Sequence, residues 1–325
     1  MRPEITSRVS AFVARLRQSG LWRRIKAVVV TGSAARGEEV WIGSTLCSDI
    51  DVMVVTKSES LRLSAAIDRM IGEYREWGID GGRIPTRSLR SYGTLFFYEA
   101  RHGGVIVAGD TAVLSLVRMK CPTQIPTWEA FRVLANRALE VVKAKHGVIP
   151  PETAVRKCYE ALCDACLVLE GRYRPSFRAR LDEIARKPLD PIVDGLNDIA
   201  RTTLERRLAG SSTPIGRTIE EACGDLITGL TVALASYLGT TGTAEDLLSV
   251  LGRSEFHPGH RLYWAARDLR AGRLPSHLRV DPVITVWSRA LNCLRSESED
   301  WRLLDDWARC PQILKPPVLD RGRSC

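Results

Sequence analysis

Two aspartates stand two residues apart, Asp49 and Asp51, in "SDIDVMVV", at the head of a run of apolar and β-branched residues. On an extended strand, positions i and i+2 project to the same side. The two carboxylates would then lie side by side, with Ile50 turned to the core. Like charges that close repel, and a divalent cation beside them relieves the repulsion. Hard oxygen donors at this spacing suit Mg²⁺, which keeps several waters and takes substrate phosphates as its other ligands. Upstream, "VVVTGSAARGE" (28–38) is a second run of β-branched residues, stopped by Gly32 and Ser33. A glycine there lets the backbone approach a ligand without a Cβ in the way. Ser33 adds a hydroxyl and an amide at the start of a helix, where free N–H groups and the helix dipole favour a phosphate. Arg36 could add positive charge. An anion cradle and metal-binding carboxylates on neighbouring strands suit metal-dependent phosphoryl or nucleotidyl transfer.

Periodicity gives the strands and helices on which these residues sit. Residues 1–20 read as an amphipathic helix, with Val9, Phe12, Val13 and Leu16 on one stripe. "IKAVVVTG" (25–32) is a buried strand, "SAARGEE" opens a helix, "WIGSTLCS" is a loop, and "DIDVMVVTK" (49–57) is a second strand. A helix is expected over 60–78, with Leu63, Ile67, Ile71 and Tyr74 in register. "GGRIPTRSL" reads as a third strand weakened by Pro85, "SYGTLFFYEARHGG" as a helix, and "VIVAGD" (105–110) as a short strand. After "CPTQIP" (121–126) helical patterns follow, with turns at Gly and Pro, no convincing strand and no repeat. The fold class expected is therefore α+β: residues 1–120 as a small mixed sheet with flanking helices, and 121–325 all-helical.

The ordered pair "TGSAARGE…SDIDVMVV" resembles the signature of the nucleotidyltransferase superfamily that includes DNA polymerase β. The aminoglycoside and lincosamide nucleotidyltransferases and the minimal bacterial members share it. The resemblance is close over about residues 22–57 and looser to about 120. It implies a polymerase β-like catalytic domain in 1–120. In 121–325 it implies a helical bundle, including "LCDACLVLEGRYRPSFRARLDEI", that closes the cleft and binds the acceptor. Ser33, with Gly32 and Arg36, would hold the triphosphate of an NTP such as ATP. Asp49 and Asp51 would hold two Mg²⁺ ions that activate the acceptor hydroxyl and neutralise the departing pyrophosphate. The loop of fifteen residues between Gly-Ser and Asp49 is slightly longer than the family pattern.

The family also has a third carboxylate on a later strand, acting as metal ligand or general base. The strand expected here carries arginines. Asp80 stands just before it, Glu99 lies in the next helix, and Asp110 follows the last strand; the remaining alternative is that no third acid exists. The resemblance thus implies an enzyme moving an NMP from an NTP to an acceptor: a small molecule or protein first, RNA second. The alternative is a catalytically weak nucleotide-binding or partner-binding module of the same fold.

Composition bounds the rest. The chain has 325 residues, 45% apolar and 26% charged, an ordinary globular composition with a formal charge of +9. That charge suits a polyanionic partner without choosing between nucleotide and RNA. No apolar run reaches the length of a membrane span, and the N-terminal segment is too polar for a signal peptide. Nine cysteines, an odd number, point to reduced thiols in a cytoplasm. Cys163 and Cys166 have C-x-x-C spacing but read as core thiols on a helix. "HPGH" (257–260) reads as a turn, and Trp264, Trp287, Trp301 and Trp307 as helix-packing anchors. "GRYRPSFR" reads as a solvated basic turn, or as a segment that turns Tyr173 toward the cleft with Arg172, Arg174 and Arg178. Arg83 and Arg87 suit either a phosphate or an exposed edge.

Overall fold

The computed structural model describes residues 1–253 apart from Ser44, Glu59, Tyr92 and Ser212, together with Leu269, residues 282–295 and Leu303. "HPGH", Trp264, Trp301 and Trp307 lie outside the described residues. The architecture is α+β, a small mixed sheet with flanking helices and then a helical region. The chain forms two compact units. The first comprises Met1–Ile125, Gly171–Lys187 and Leu204–Thr213; the second comprises Pro126–Glu170, Pro188–Thr203 and Pro214–Cys325. A contiguous division near residue 120 does not contain the two returns of the chain to the first unit.

In the first unit, α1 (Pro3–Gln18) starts at a proline, which suits a first helical turn because its missing N–H is not needed there. Strand β1 (Ile25–Val30) leads to the short α2 (Gly32–Arg36). "WIGSTLCS" is not a plain loop: β2 (Trp41–Ile42) and β3 (Thr45–Leu46) pair as a small hairpin. Two-residue strands leave no period for a sequence reading to detect. Then come β4 (Ile50–Thr56), α3 (Leu61–Glu73), β5 (Ile79–Pro85), α4 (Thr86–Ser91), α5 (Leu95–Gly103) and β6 (Val105–Gly109). Ser60 caps α3 by accepting from Leu63 N at 3.3 Å, and Thr94 caps α5 from Phe97 N at 3.2 Å.

The sheet order is β5-β4-β1-β6, with β4 and β5 parallel and the other neighbours antiparallel. Pro85 is tolerated because it ends an edge strand. One face of the sheet, with Val28, Val30, Ile50, Val52, Val54 and Ile79, packs on the apolar stripes of α1 and α3. Alternation along β4 therefore turns Asp51 to the opposite face.

In the second unit, α6 (Trp128–Lys145), α7 (Pro151–Leu169) and α9 (Ile219–Leu238) pack together, with α10 (Ala244–Arg253) and α11 (Pro282–Arg295) against them, while α8 (Phe177–Arg186) belongs to the first unit. Trp128, Phe131 and Trp287 pack ring against ring, with centroids 4.8–5.7 Å apart. Cys163 and Cys166 are buried in α7, and burial pushes the Cys166 thiol up to about 12. No helix among the described residues is long and apolar enough to cross a membrane.

Candidate functional site

The Asp-x-Asp strand and the Gly-Ser turn meet at one end of the sheet. Antiparallel register sets Val30 opposite Val52, and Thr31 N donates to Asp51 O at 2.8 Å. The end of β1 is thus tied to β4 at the acidic residue itself. Gly32 follows with φ 67°, a backbone that side-chain-bearing residues avoid. A Cβ on Gly32 would lie 2.1 Å from Asp51 Oδ2. The glycine therefore makes room for the Asp51 carboxylate, and Ser33 behind it is buried.

The parallel pair of strands brings in another acid. β5 begins at Ile79, so Asp80 lies within the strand, and its register partner on β4 is Asp51. Ile50 and Ile79 pair in the same register and both face the core. Asp51 and Asp80, one residue further along each strand, share the other face. The close approach depends on Gly81, at φ 142°, where a Cβ would fall 1.9 Å from Val52 O. Asp49 precedes β4 and is exposed.

Asp51 is half-buried, and its carboxyl is pushed up to about 7. Burial is the largest cause; Asp49, Asp80 and Glu99 add repulsion, and Arg36 acts in the opposite sense. Four acids are thus electrostatically linked. As placed, no three His, Cys, Asp or Glu side chains among the described residues form a metal-holding group. The donor set still suits Mg²⁺ by its chemistry: hard carboxylate oxygens, held close enough to oppose each other's ionisation.

Glu99, on α5, is differently occupied. Arg180 Nη2 donates to its Oε1 at 2.5 Å, the Tyr173 hydroxyl also donates to it, and Arg180 donates in turn to the Tyr173 oxygen. Arg180 is 2% exposed and stacks over the rings of Tyr173 and Phe177, 4.6 and 4.8 Å from their centroids. The segment read as a solvated basic turn is instead anchored by a fully buried Tyr173. Around it, Arg172 and Arg174 pair with the buried Glu183 at 3.3 and 2.9 Å. Asp110 lies at the other end of the sheet. It pairs with Lys26 at 2.9 Å and accepts from Ala112 N at 2.8 Å. The Lys26 hydrogen bond, then that of Ala112, holds its carboxyl below the usual range.

Arg36 ends α2, and its Nε donates to Glu38 Oε2 at 3.1 Å. Glu38 and Arg180 escaped the sequence reading. Each acts through a partner more than eighty residues away, and no local pattern marks such a pairing.

No family model matches this chain, and no curated protein matches it. Among solved structures it is similar to the spectinomycin adenyltransferase AAD(9) from Enterococcus faecialis, solved with ATP and spectinomycin. The TM-score is 0.36 and the identity 13%, over 63% of this chain and 98% of that one. A likeness of that size does not place this chain in that family, and the case for its chemistry rests on the carboxylates around Asp51.

Proposed function

We propose that the first unit is a nucleotidyltransferase. The oxygen of an acceptor hydroxyl attacks the α-phosphorus of a nucleoside triphosphate, the α–β bridging P–O bond breaks, and pyrophosphate leaves with the bonding electrons. The hydroxyl proton passes to a carboxylate of the site. Asp49 and Asp51 would hold Mg²⁺, which when bound supplies charge neutralisation for the triphosphate and acidifies the acceptor hydroxyl. Gly32 and Ser33 would receive the phosphates, with Arg36 beside them. Asp80 is the third carboxylate on this reading. It shares a register position and a face with Asp51, whereas Glu99 is engaged by Arg180 and Tyr173. A small molecule or a protein is the favoured acceptor, and RNA the next.

The observation that carries the reading is the shared register position of Asp51 and Asp80 on neighbouring strands, with the Asp51 carboxylate in the space that Gly32 leaves open. Burial, then Asp49, Asp80 and Glu99, push the Asp51 carboxyl up to about 7, and a bound cation would offset that repulsion. The second reading, nucleotide binding without turnover, is favoured by Glu99, an acid beside Asp51 whose carboxylate is already engaged by Arg180 and Tyr173. Incubation with each α-labelled NTP and Mg²⁺, with and without cell extract or total tRNA, separates them. Label reaching an acceptor with the native chain, and not with Asp49→Ala/Asp51→Ala, supports transfer. Nucleotide binding that depends on the aspartates, without label transfer, supports the second reading.

A further inference from the structure

The Arg36 side chain is 9% exposed, and its Nη1 is buried without a hydrogen-bond partner. A buried guanidinium N–H left unmatched is costly and strongly favours an oxygen ligand. Arg36 Cδ and Cγ lie against Gly103 of α5, where a Cβ would come within 3.0 and 3.2 Å of them. The guanidinium is planar, so fixing the direction of Nε also fixes the direction of Nη1.

Glu38 does that fixing and is itself held. Its carboxylate, 8% exposed, accepts from Arg36 Nε through Oε2. The same Oε2 accepts from Phe177 N at 3.1 Å, and Oε1 accepts from Arg178 N at 3.0 Å. Both donors are free N–H groups in the first turn of α8 (Phe177–Arg186), whose Ser176 cap serves a different amide, Ala179 N. Neither oxygen can turn without losing a bond to α8.

We propose that Glu38 is a positioning residue. Anchored on the first turn of α8, it sets the Arg36 guanidinium so that Nη1 binds an oxygen of a polyphosphate. The inference rests on the nucleotide reading of the same site. It makes the returning segment 171–187 part of the phosphate-binding apparatus.

The test uses the full chain and inorganic tripolyphosphate with Mg²⁺, followed by titration calorimetry, with far-UV circular dichroism as the folding control. Glu38→Gln keeps the length and one acceptor oxygen for α8 but weakens the hold on Arg36. Positioning predicts affinity lower by roughly tenfold or more, tenfold being the low end of what one charge-assisted hydrogen bond is worth. A background-charge role predicts the opposite sign, because removing a negative charge beside a polyanion tightens binding. Glu38→Asp keeps the charge and shortens the reach. Positioning predicts a loss there too, and a background charge predicts none. Arg36→Gln should lose affinity, and Arg36→Gln/Glu38→Gln should lose no more than Arg36→Gln alone. In label transfer, Glu38→Gln should raise the KM for NTP more than it lowers kcat. Unchanged or tighter tripolyphosphate binding by both Glu38 variants, or no binding by the native chain, overturns the inference. Label transfer by that same native chain leaves the nucleotidyl-transfer reading standing.

Discussion

Replacing Asp51 by Asn should stabilise the metal-free protein at pH 8 and leave it nearly unchanged at pH 4. In the fold the Asp51 carboxyl holds its proton to about 7, against an ordinary 3.8. Between those values the native state binds more protons than the unfolded chain. Stability therefore falls as pH rises through this window and levels off above it. At about 1.4 kcal/mol for each tenfold change in proton affinity, the full loss has a ceiling of about 4 kcal/mol. Some solvent still reaches this half-buried carboxylate and screens part of that, so about 2 kcal/mol is expected. Asn is nearly isosteric with the protonated acid and escapes the loss. Thermal melts in EDTA should then place Asp51→Asn about 4–8 °C above the native chain at pH 8 and level with it at pH 4. Mg²⁺ should reverse the order at pH 8, because only the native chain offers the full carboxylate set. A variant less stable than the native chain at pH 8 in EDTA, or a difference independent of pH, would show that the Asp51 proton is not what the fold retains.

Two further outcomes follow from contacts around the same carboxylate. Gly32→Ala must place a Cβ 2.1 Å from Asp51 Oδ2 at φ 67°, so urea unfolding should show a loss of about 2 kcal/mol or more, and label transfer should fail. Arg180→Met removes the cation from Glu99 and leaves a carboxylate that is 20% exposed facing the other acids; urea unfolding should show a loss of about 2–4 kcal/mol, below the cost of breaking a fully buried pair.

The local parts of the site were legible in the sequence because each is written within a few residues. A β-branched run ending at Gly32-Ser33 and an Asp-x-Asp strand head need no distant partner to be recognised. The place of Asp80 is not legible, because sequence shows neither where β5 starts nor which residue of β4 it pairs with. Gly81 permits that approach, since a Cβ there would collide with Val52 O. Gly32 had a partner other than the one expected: the atom nearest its missing Cβ belongs to Asp51. The "GRYRPSFR" segment has the composition of a solvated turn, and nothing local to it signals a buried Tyr173. Tyr173 and Arg180 are buried because Glu99, far away in the chain, satisfies their polar ends.

The returns of the chain to the first unit also constrain how the protein is made. A ribosome that has released residues 1–125 has delivered the whole sheet, yet Glu38 still lacks the α8 amides and Glu99 still lacks Arg180. The missing pieces end at Thr213. At roughly 5–20 residues per second, the wait is on the order of ten seconds. During it Glu99 stands beside the other acids without Arg180. The nascent sheet must persist unfinished until α6 and α7 have been translated, so a stop codon placed between them should leave a chain that chaperones hold and proteases clear.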